Sequence, residues 1–178
     1  MAQETEKLLM DAAQLEATLQ RLASQIAERQ GAEGPYHLVG IHTRGVPIAK
    51  RLAALIKNSG PIGVLDINLY RDDLSAVADM PVVKETSLPF SVDGAHVLLV
   101  DDVLYTGRTV RAALDALFDL GRPKKIELLA LVDRGGREIP LQADFCGKRL
   151  SVSDREVVKV RLLETDGKDE VVVAQGAE

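Results

Sequence analysis

Val97-Leu-Leu-Val-Asp-Asp-Val-Leu-Tyr-Thr-Gly-Arg-Thr-Val110 is the stretch whose reading decides the fold. It begins with four apolar residues, Val97 to Val100, an unbroken run that suits a strand buried on both faces of a parallel sheet. Two carboxylates, Asp101 and Asp102, close the run. Thr106-Gly-Arg-Thr109 then opens a helix. Its apolar positions, Val110, Ala113, Leu114 and Leu117, follow the i, i+3, i+4, i+7 spacing of one buried face, and Gly121 and Pro123 stop it. In open α/β sheets, ligands sit outside the carboxyl ends of the strands. A helix amino end offers unpaired N–H groups and positive partial charge, which suits phosphate. Gly107 lets the backbone approach an anion, and Thr106 and Thr109 add hydroxyl donors. The acid pair can accept from vicinal sugar hydroxyls or hold a divalent cation. A ribose 5-phosphate fits all of these. An acid pair alone would read as an ordinary solvated turn; the whole string argues for the ligand.

Working outward, Tyr36 to Ile41 reads as a strand and Thr43-Arg-Gly45 as the loop after it. A helix begins near Val46, with Pro47 in its first turn and Ile48, Leu52, Leu55 and Ile56 on its apolar face. Arg44 can pair bidentately with a phosphate group. Ile62 to Tyr70 alternates as a strand. Arg71-Asp-Asp73 and an aperiodic run to Pro89 follow, a length that suits a lid keeping water from a reactive ribosyl cation. Downstream, Ile126 to Val132 is a buried strand ending in Asp133-Arg-Gly-Gly-Arg137. Val157–Leu163 and Val171–Ala174 read as a hairpin around Gly167. At the start of the chain, Glu4 to Arg29 reads as one helix, with a seam of Leu8, Ala12, Leu15, Leu19, Leu22 and Ile26 docked on the sheet, ended by Gly31 and Gly34-Pro35.

The length of 178 residues points to a single domain spanning 1–178. The net charge of −5 does not suggest a dedicated nucleic-acid binder. A single cysteine, Cys146, excludes an intramolecular disulfide and suits a reducing compartment; it reads as a small buried hydrophobe. With no long apolar run and a polar, acidic start, the sequence predicts a soluble cytoplasmic protein. Neither a Walker A loop nor a G-x-G-x-x-G fingerprint occurs in the chain.

The central string resembles the phosphoribosyl pyrophosphate (PRPP) motif of type I phosphoribosyltransferases. The match narrows with Gly40-Ile-His-Thr-Arg-Gly45, Leu69-Tyr-Arg-Asp-Asp-Leu74, Leu131-Val-Asp-Arg-Gly-Gly-Arg-Glu138 and Asp119-Leu-Gly-Arg-Pro123. From about Leu19 to Gly167 the chain is similar to the bifunctional pyrimidine operon regulator/uracil phosphoribosyltransferase family. The resemblance implies an α/β fold of the type I phosphoribosyltransferase kind. That fold has a mostly parallel central sheet flanked by helices, a flexible lid loop at about 71–89, and a small hood drawn partly from 134–155.

The implied reaction is uracil plus PRPP giving UMP plus diphosphate, with Mg²⁺ as cofactor. Asp101, Asp102, Arg44 and Arg71 would be its catalytic residues. The resemblance assigns the ribose hydroxyls to Asp101 and Asp102, and the diphosphate to Thr43, Arg44 and Gly45 with Arg71 reaching in from the lid. Thr106, Gly107, Arg108 and Thr109 would cradle the 5-phosphate. Val103, Leu104, Tyr105, Asp133, Arg134 and Arg137 would complete the substrate site, with Asp101 and Asp133 as metal-linked acids. Purine-specific relatives carry an acid just before Thr-Gly; here that position is Tyr105, so no general base is evident there.

Family members also regulate transcription by attenuation, binding pyrimidine operon leader mRNA in response to UMP or UTP, and associate as homodimers or higher homo-oligomers. Arg21, Lys148, Arg149 and Arg155 are what an RNA face could use here; by themselves they read as solvated surface. The chain departs from the family at Gln20, Ser24, Gln142 and Asp154, where polar or basic residues are expected, and at Gly136, which replaces a usual His. Two alternatives stay open: an attenuation regulator with only vestigial catalysis, and a phosphoribosyltransferase for another base.

Overall fold

A strand with apolar residues on both faces needs cover on both, and the chain supplies it with helices. The computed structural model describes residues 5–57, 60–68 and 86–176. Its main sheet has five strands: β2 (His37–Ile41), β3 (Gly63–Leu65), β4 (His96–Leu104), β5 (Lys125–Asp133) and β6 (Phe145–Arg149). They run in the order β3-β2-β4-β5-β6 and all pair in parallel. Helix α1 (Ala12–Glu33) precedes β2, α2 (Gly45–Leu55) joins β2 to β3, and α3 (Arg108–Leu120) joins β4 to β5. The alternation of β4 divides the core. Leu98 and Val100 pack with α1 and α2, whereas Val97 and Leu99 pack with α3. No helix among the described residues is long and apolar enough to cross a membrane.

The amino-terminal segment differs from the sequence expectation. Lys7–Met10 is a strand, β1, and α1 starts only at Ala12. Asp11 stops the helix from extending back: its carboxylate accepts from Gln14 N at 2.8 Å, while Asp11 N donates to the Gln14 side chain at 2.9 Å. Leu8 therefore leaves the predicted seam and stands 56% exposed, and Ala12 is exposed too, while Leu15, Leu19, Leu22 and Ile26 are fully buried. The docking of α1 on its own sheet is as expected. Gly31 lies inside the helix, and Gly34 caps it, with φ 95°.

The second sheet joins β1 to the two last strands, β7 (Glu156–Arg161) and β8 (Glu170–Gln175), in the order β1-β8-β7. The 134–155 segment supplies β6 and its turns. Between β7 and β8 lies a four-residue helix, α4 (Leu163–Asp166), ended by Gly167 at φ 75°. Val158, Val160, Val171 and Val173 face the core that α1 and α2 share. Among the described residues of the predicted strand 62–70, only Gly63–Leu65 is strand; beyond it Asp66 Oδ1 accepts from Asn68 N at 3.0 Å and turns the chain. Arg71 and most of the expected lid lie outside the described residues.

At the amino end of the main sheet one buried charge ties α1, β4 and β5 to the residue before β2. Glu127, 3% exposed, accepts from Arg29 of α1 at 2.6 Å and from the Tyr36 hydroxyl at 2.5 Å, and His96 Nε2 of β4 lies 2.7 Å away. Burial pushes its pKa up. The bonds from Tyr36, His96 and Arg29 outweigh burial and hold it at about 2, against an ordinary 4.5. A depressed carboxylate pKa gives stability that is present above pH 4.5 and lost as the pH falls through 2. By linkage that contribution is about 3 kcal/mol. Glu127→Gln is expected to cost about 3 kcal/mol at pH 7 and to flatten the loss of stability between pH 4.5 and 2, as read by urea unfolding across pH. Unchanged stability at pH 7 would mean the network is not fully formed.

Candidate active site

In the order β3-β2-β4-β5-β6, the parallel strands β2 and β4 are followed outward on opposite sides, β2 by β3 and β4 by β5 and β6, and the crevice outside the carboxyl ends at such a switch point is where these sheets bind ligands. β2 ends at Ile41, the His42–Thr43 peptide bond that follows is cis, and Arg44 is the N-cap of α2. Gly45 sits so close to β4 that a Cβ there would lie 2.2 Å from the Val100 carbonyl oxygen. The absence of a side chain thus presses the Thr43–Gly45 loop against the acid pair.

β4 continues through both acids to Leu104, so their side chains leave the sheet on opposite faces. Asp101, 6% exposed, lines a cleft of about 340 Å³ with Val103–Val110 and Glu138. Asp102 lines a second cleft of about 230 Å³ with Arg44, Val158–Arg161 and Asp166. Each carboxylate also braces its own backbone: Asp101 accepts from Asp102 N and Asp102 from Val103 N, both at 2.9 Å.

The turn into α3 has the form an anion needs. Gly107 is left-handed, with φ 93°, and Thr106 Oγ1 accepts from Arg108 N at 3.2 Å. The first N–H groups of a helix have no partner within it, and here they border the larger cleft. The loop after β5 holds this turn from behind. Glu138 N and Ile139 N donate to the Thr106 carbonyl at 2.9 and 3.0 Å, and Arg108 Nε donates to the Glu138 carboxylate at 2.7 Å.

A model of the phosphoribosyl transferase domain matches residues 8–165. The bifunctional protein PyrR of Pelotomaculum thermopropionicum is 54% identical over 182 residues, the full length of both chains. Its counterpart in Chloroflexus aurantiacus is 52% identical, covering 97% of each chain, and that of Thermus thermophilus is 55% identical over 92% of each. The chain belongs to the PyrR family of phosphoribosyltransferases. Among solved structures, a hypoxanthine phosphoribosyltransferase of Trypanosoma cruzi superposes with a TM-score of 0.74 at 19% identity, over 98% of this chain and 94% of that one. A hypoxanthine-guanine phosphoribosyltransferase of Bacillus anthracis does so at 0.70 and 20%, over 98% and 99%. These superpositions support the type I phosphoribosyltransferase fold.

Within this PyrR-family chain the predicted site residues fall into three groups. Thr43, Arg44, Gly45, Asp101, Asp102 and Thr106–Thr109 gather at the carboxyl edge of β2 and β4. Leu104 is buried, so only its backbone can meet a ligand, whereas Val103 and Tyr105 reach the cleft. Asp133, Arg134 and Arg137 brace the site from behind. Arg134, 5% exposed, lies 3.7 Å over the Tyr105 ring and donates to the carbonyls of Ser153 and Glu156 at 3.2 and 2.7 Å. Arg137 donates to Tyr105 O at 2.8 Å, to Leu141 O at 2.7 Å and to Asp133 Oδ2 at 2.7 Å.

Asp133 Oδ1 accepts from Gly135 N at 3.0 Å, so both oxygens of this expected metal-linked acid already have partners. Asp101 and Asp102 offer the hard oxygen donors that Mg²⁺ takes, and such an ion usually arrives with substrate phosphates rather than in an all-protein cage. The cluster Glu33, His96 and Glu127, close enough for its members to share an ion, lies at the other end of the strands, where Arg29 and Lys125 already neutralise it.

Of the expected RNA-face residues, Arg21 donates to the carbonyls of Cys146 and Gly147, and Lys148 Nζ lies 3.5 Å from Leu9 O. Lys148 and Arg149 belong to β6 and Arg21 reaches it from α1, while Arg155 is exposed just before β7. Cys146 is half-buried, and burial pushes its thiol pKa up.

Sequence reasoning missed Asp166, Lys159 and Arg161, which line the Asp102 cleft. Arg44 and Asp166 pair bidentately at 3.2 and 2.8 Å, and Arg44 holds the Asp166 carboxylate well below the ordinary range. No local pattern announces a pair 122 residues apart.

Proposed function

We propose that the chain is a uracil phosphoribosyltransferase that also regulates pyrimidine operon expression. The observation that carries the catalytic reading is one edge that holds three things together: the amide-rich Thr106–Thr109 turn, the acid pair of β4 and the Arg44 loop. The 5-phosphate of PRPP sits on the amides that begin α3, and Asp101 and Asp102 take the ribose hydroxyls. Arg44 faces the diphosphate. The bond from C1 of the ribose to diphosphate oxygen breaks, the bond from C1 to uracil N1 forms, and the N1 proton leaves to diphosphate or water. Charge develops on the leaving diphosphate and on the ribosyl ring, so fixed cations at one and carboxylates at the other lower the barrier. Mg²⁺, bound with PRPP, supplies further charge neutralisation on the diphosphate. Tyr105 occupies the position before Thr106 and offers no carboxylate base; the acidity of uracil N1–H makes one unnecessary.

The decisive experiment is an assay with PRPP, Mg²⁺ and labelled uracil, in competition with hypoxanthine. UMP as the main product is expected; none at saturating Mg²⁺ sinks the reading, and preference for hypoxanthine reassigns the base. The regulatory reading is supported by the PyrR relatives. It expects UMP-stimulated, salt-dependent binding of pyrimidine operon leader RNA, and binding indifferent to salt would remove it. A cytoplasmic homo-oligomer belongs to the same proposal.

A further inference from the structure

Arg44 has a fixed partner on the far side of the Asp102 cleft. Asp166 closes α4, in the connection between β7 and β8, and its own turn immobilises its carboxylate. Oδ2 accepts from Leu162 N at 2.9 Å and from the Thr165 hydroxyl at 2.6 Å. Against this anchor Arg44 lays its Nε and Nη2 at 3.2 and 2.8 Å. A guanidinium has two bidentate edges, and this pairing takes the Nε/Nη2 edge, leaving the Nη1/Nη2 edge for a second anion. Lys159 and Arg161 also line the cleft, but Arg161 is paired with Glu6 and Glu170 and Lys159 Nζ lies 3.5 Å from Glu6, so the case for an anion rests on the second edge of Arg44.

The turn does not depend on Asp166 for its attachment. Arg51 of α2 is gripped by Glu164 at 2.8 and 2.5 Å and by Asp169 at 2.9 and 2.8 Å. Arg51 does not line the cleft. One arginine–carboxylate cluster therefore fastens the turn to α2, and the other sits at the site.

We propose that Asp166 is a positioning residue for diphosphate: it fixes the guanidinium of Arg44 at the Asp102 cleft, with one edge presented to the diphosphate group of the substrate. This rests on the phosphoribosyl-transfer reading above. Fixing the guanidinium beforehand removes the ordering cost that a loose arginine would meet on binding.

The test compares Asp166→Asn and Glu164→Gln in the full-length protein. Asparagine keeps an acceptor for Leu162 N but loses the charged fork. In Asp166→Asn, KM for PRPP is expected to rise about tenfold, and the dissociation constant of inorganic diphosphate with Mg²⁺, measured by calorimetry, to weaken by a similar factor. UMP affinity should stay within about twofold, since UMP lacks the diphosphate. Glu164→Gln should lower thermal stability and leave both diphosphate readouts unchanged. Equal diphosphate affinity in Asp166→Asn and wild type overturns the proposal, as does tighter binding, which would make Asp166 a competitor. Equal shifts in both variants would reduce the turn to a structural clamp and also overturn it. If wild type makes no UMP, the functional reading falls, but calorimetry on diphosphate still decides the role of Asp166. Absence of diphosphate binding in wild type sinks the positioning role as well.

Discussion

Gly45→Ala is expected to lose both stability and activity. Its methyl carbon would sit 2.2 Å from Val100 O and 3.5 Å from Asp101 Cα, both backbone atoms of a buried central strand. Backbone cannot rotate aside as a side chain can, so α2 must withdraw from β4. Overpacking of this kind costs about 3 kcal/mol or more. The withdrawal also widens the gap between Arg44 and the acid pair, and a misplacement of about 1 Å can cost on the order of 100-fold in rate. Gly31→Ala is the matched comparison. It lies within α1 with nothing near its would-be Cβ, so alanine should stabilise by about 0.5–1 kcal/mol. Urea unfolding and UMP formation on both variants check this. A Gly45→Ala protein with wild-type stability would show that the start of α2 is not in contact with β4.

Asp102→Asn separates chemistry from folding. The side chain is half-buried at the smaller cleft, and the bond its Oδ1 accepts from Val103 N can be kept by the asparagine oxygen. The fold should barely notice, with a change of less than about 1 kcal/mol. The charge that steadies a ribosyl cation is gone, and turnover should fall about 100- to 1,000-fold. Paired thermal unfolding and steady-state assays give the comparison. An Asp102→Asn enzyme with near-wild-type turnover would remove this carboxylate from the reaction.

The parts of the site that were legible in the sequence are those whose signals are local. The apolar run before Asp101, the glycine of Thr106-Gly107 and the periodicity of α3 lie within one strand–turn–helix unit, and each records a local backbone requirement. The amino terminus shows how a strong pattern misleads. The spacing of Leu8 with Leu15 continues a seam that the chain does not use, because Asp11 and Gln14 form a capping box between them. That box is itself a local signal, outweighed in the reading by hydrophobic periodicity. The pairing of residues 7–10 escaped the reading for another reason: β1 pairs with β8 from the opposite end of the chain, and no local feature encodes which edge a short exposed strand will find.

What the sequence determined by itself was the central unit. Val97 to Val100 buries on two faces, and the turn after it offers amides to an anion. Period-two alternation also means that Asp101 and Asp102 cannot leave the sheet on the same side once β4 runs on to Leu104. Only the tertiary structure decided what each carboxylate faces. Asp101 meets the turn into α3, whereas Asp102 meets Arg44 and a β7–β8 connection that brings Asp166 across from the far end of the chain. The physical reason is range. Backbone geometry and hydrophobic spacing act over a few residues, but a charge pairs with whatever the packed sheets carry within reach.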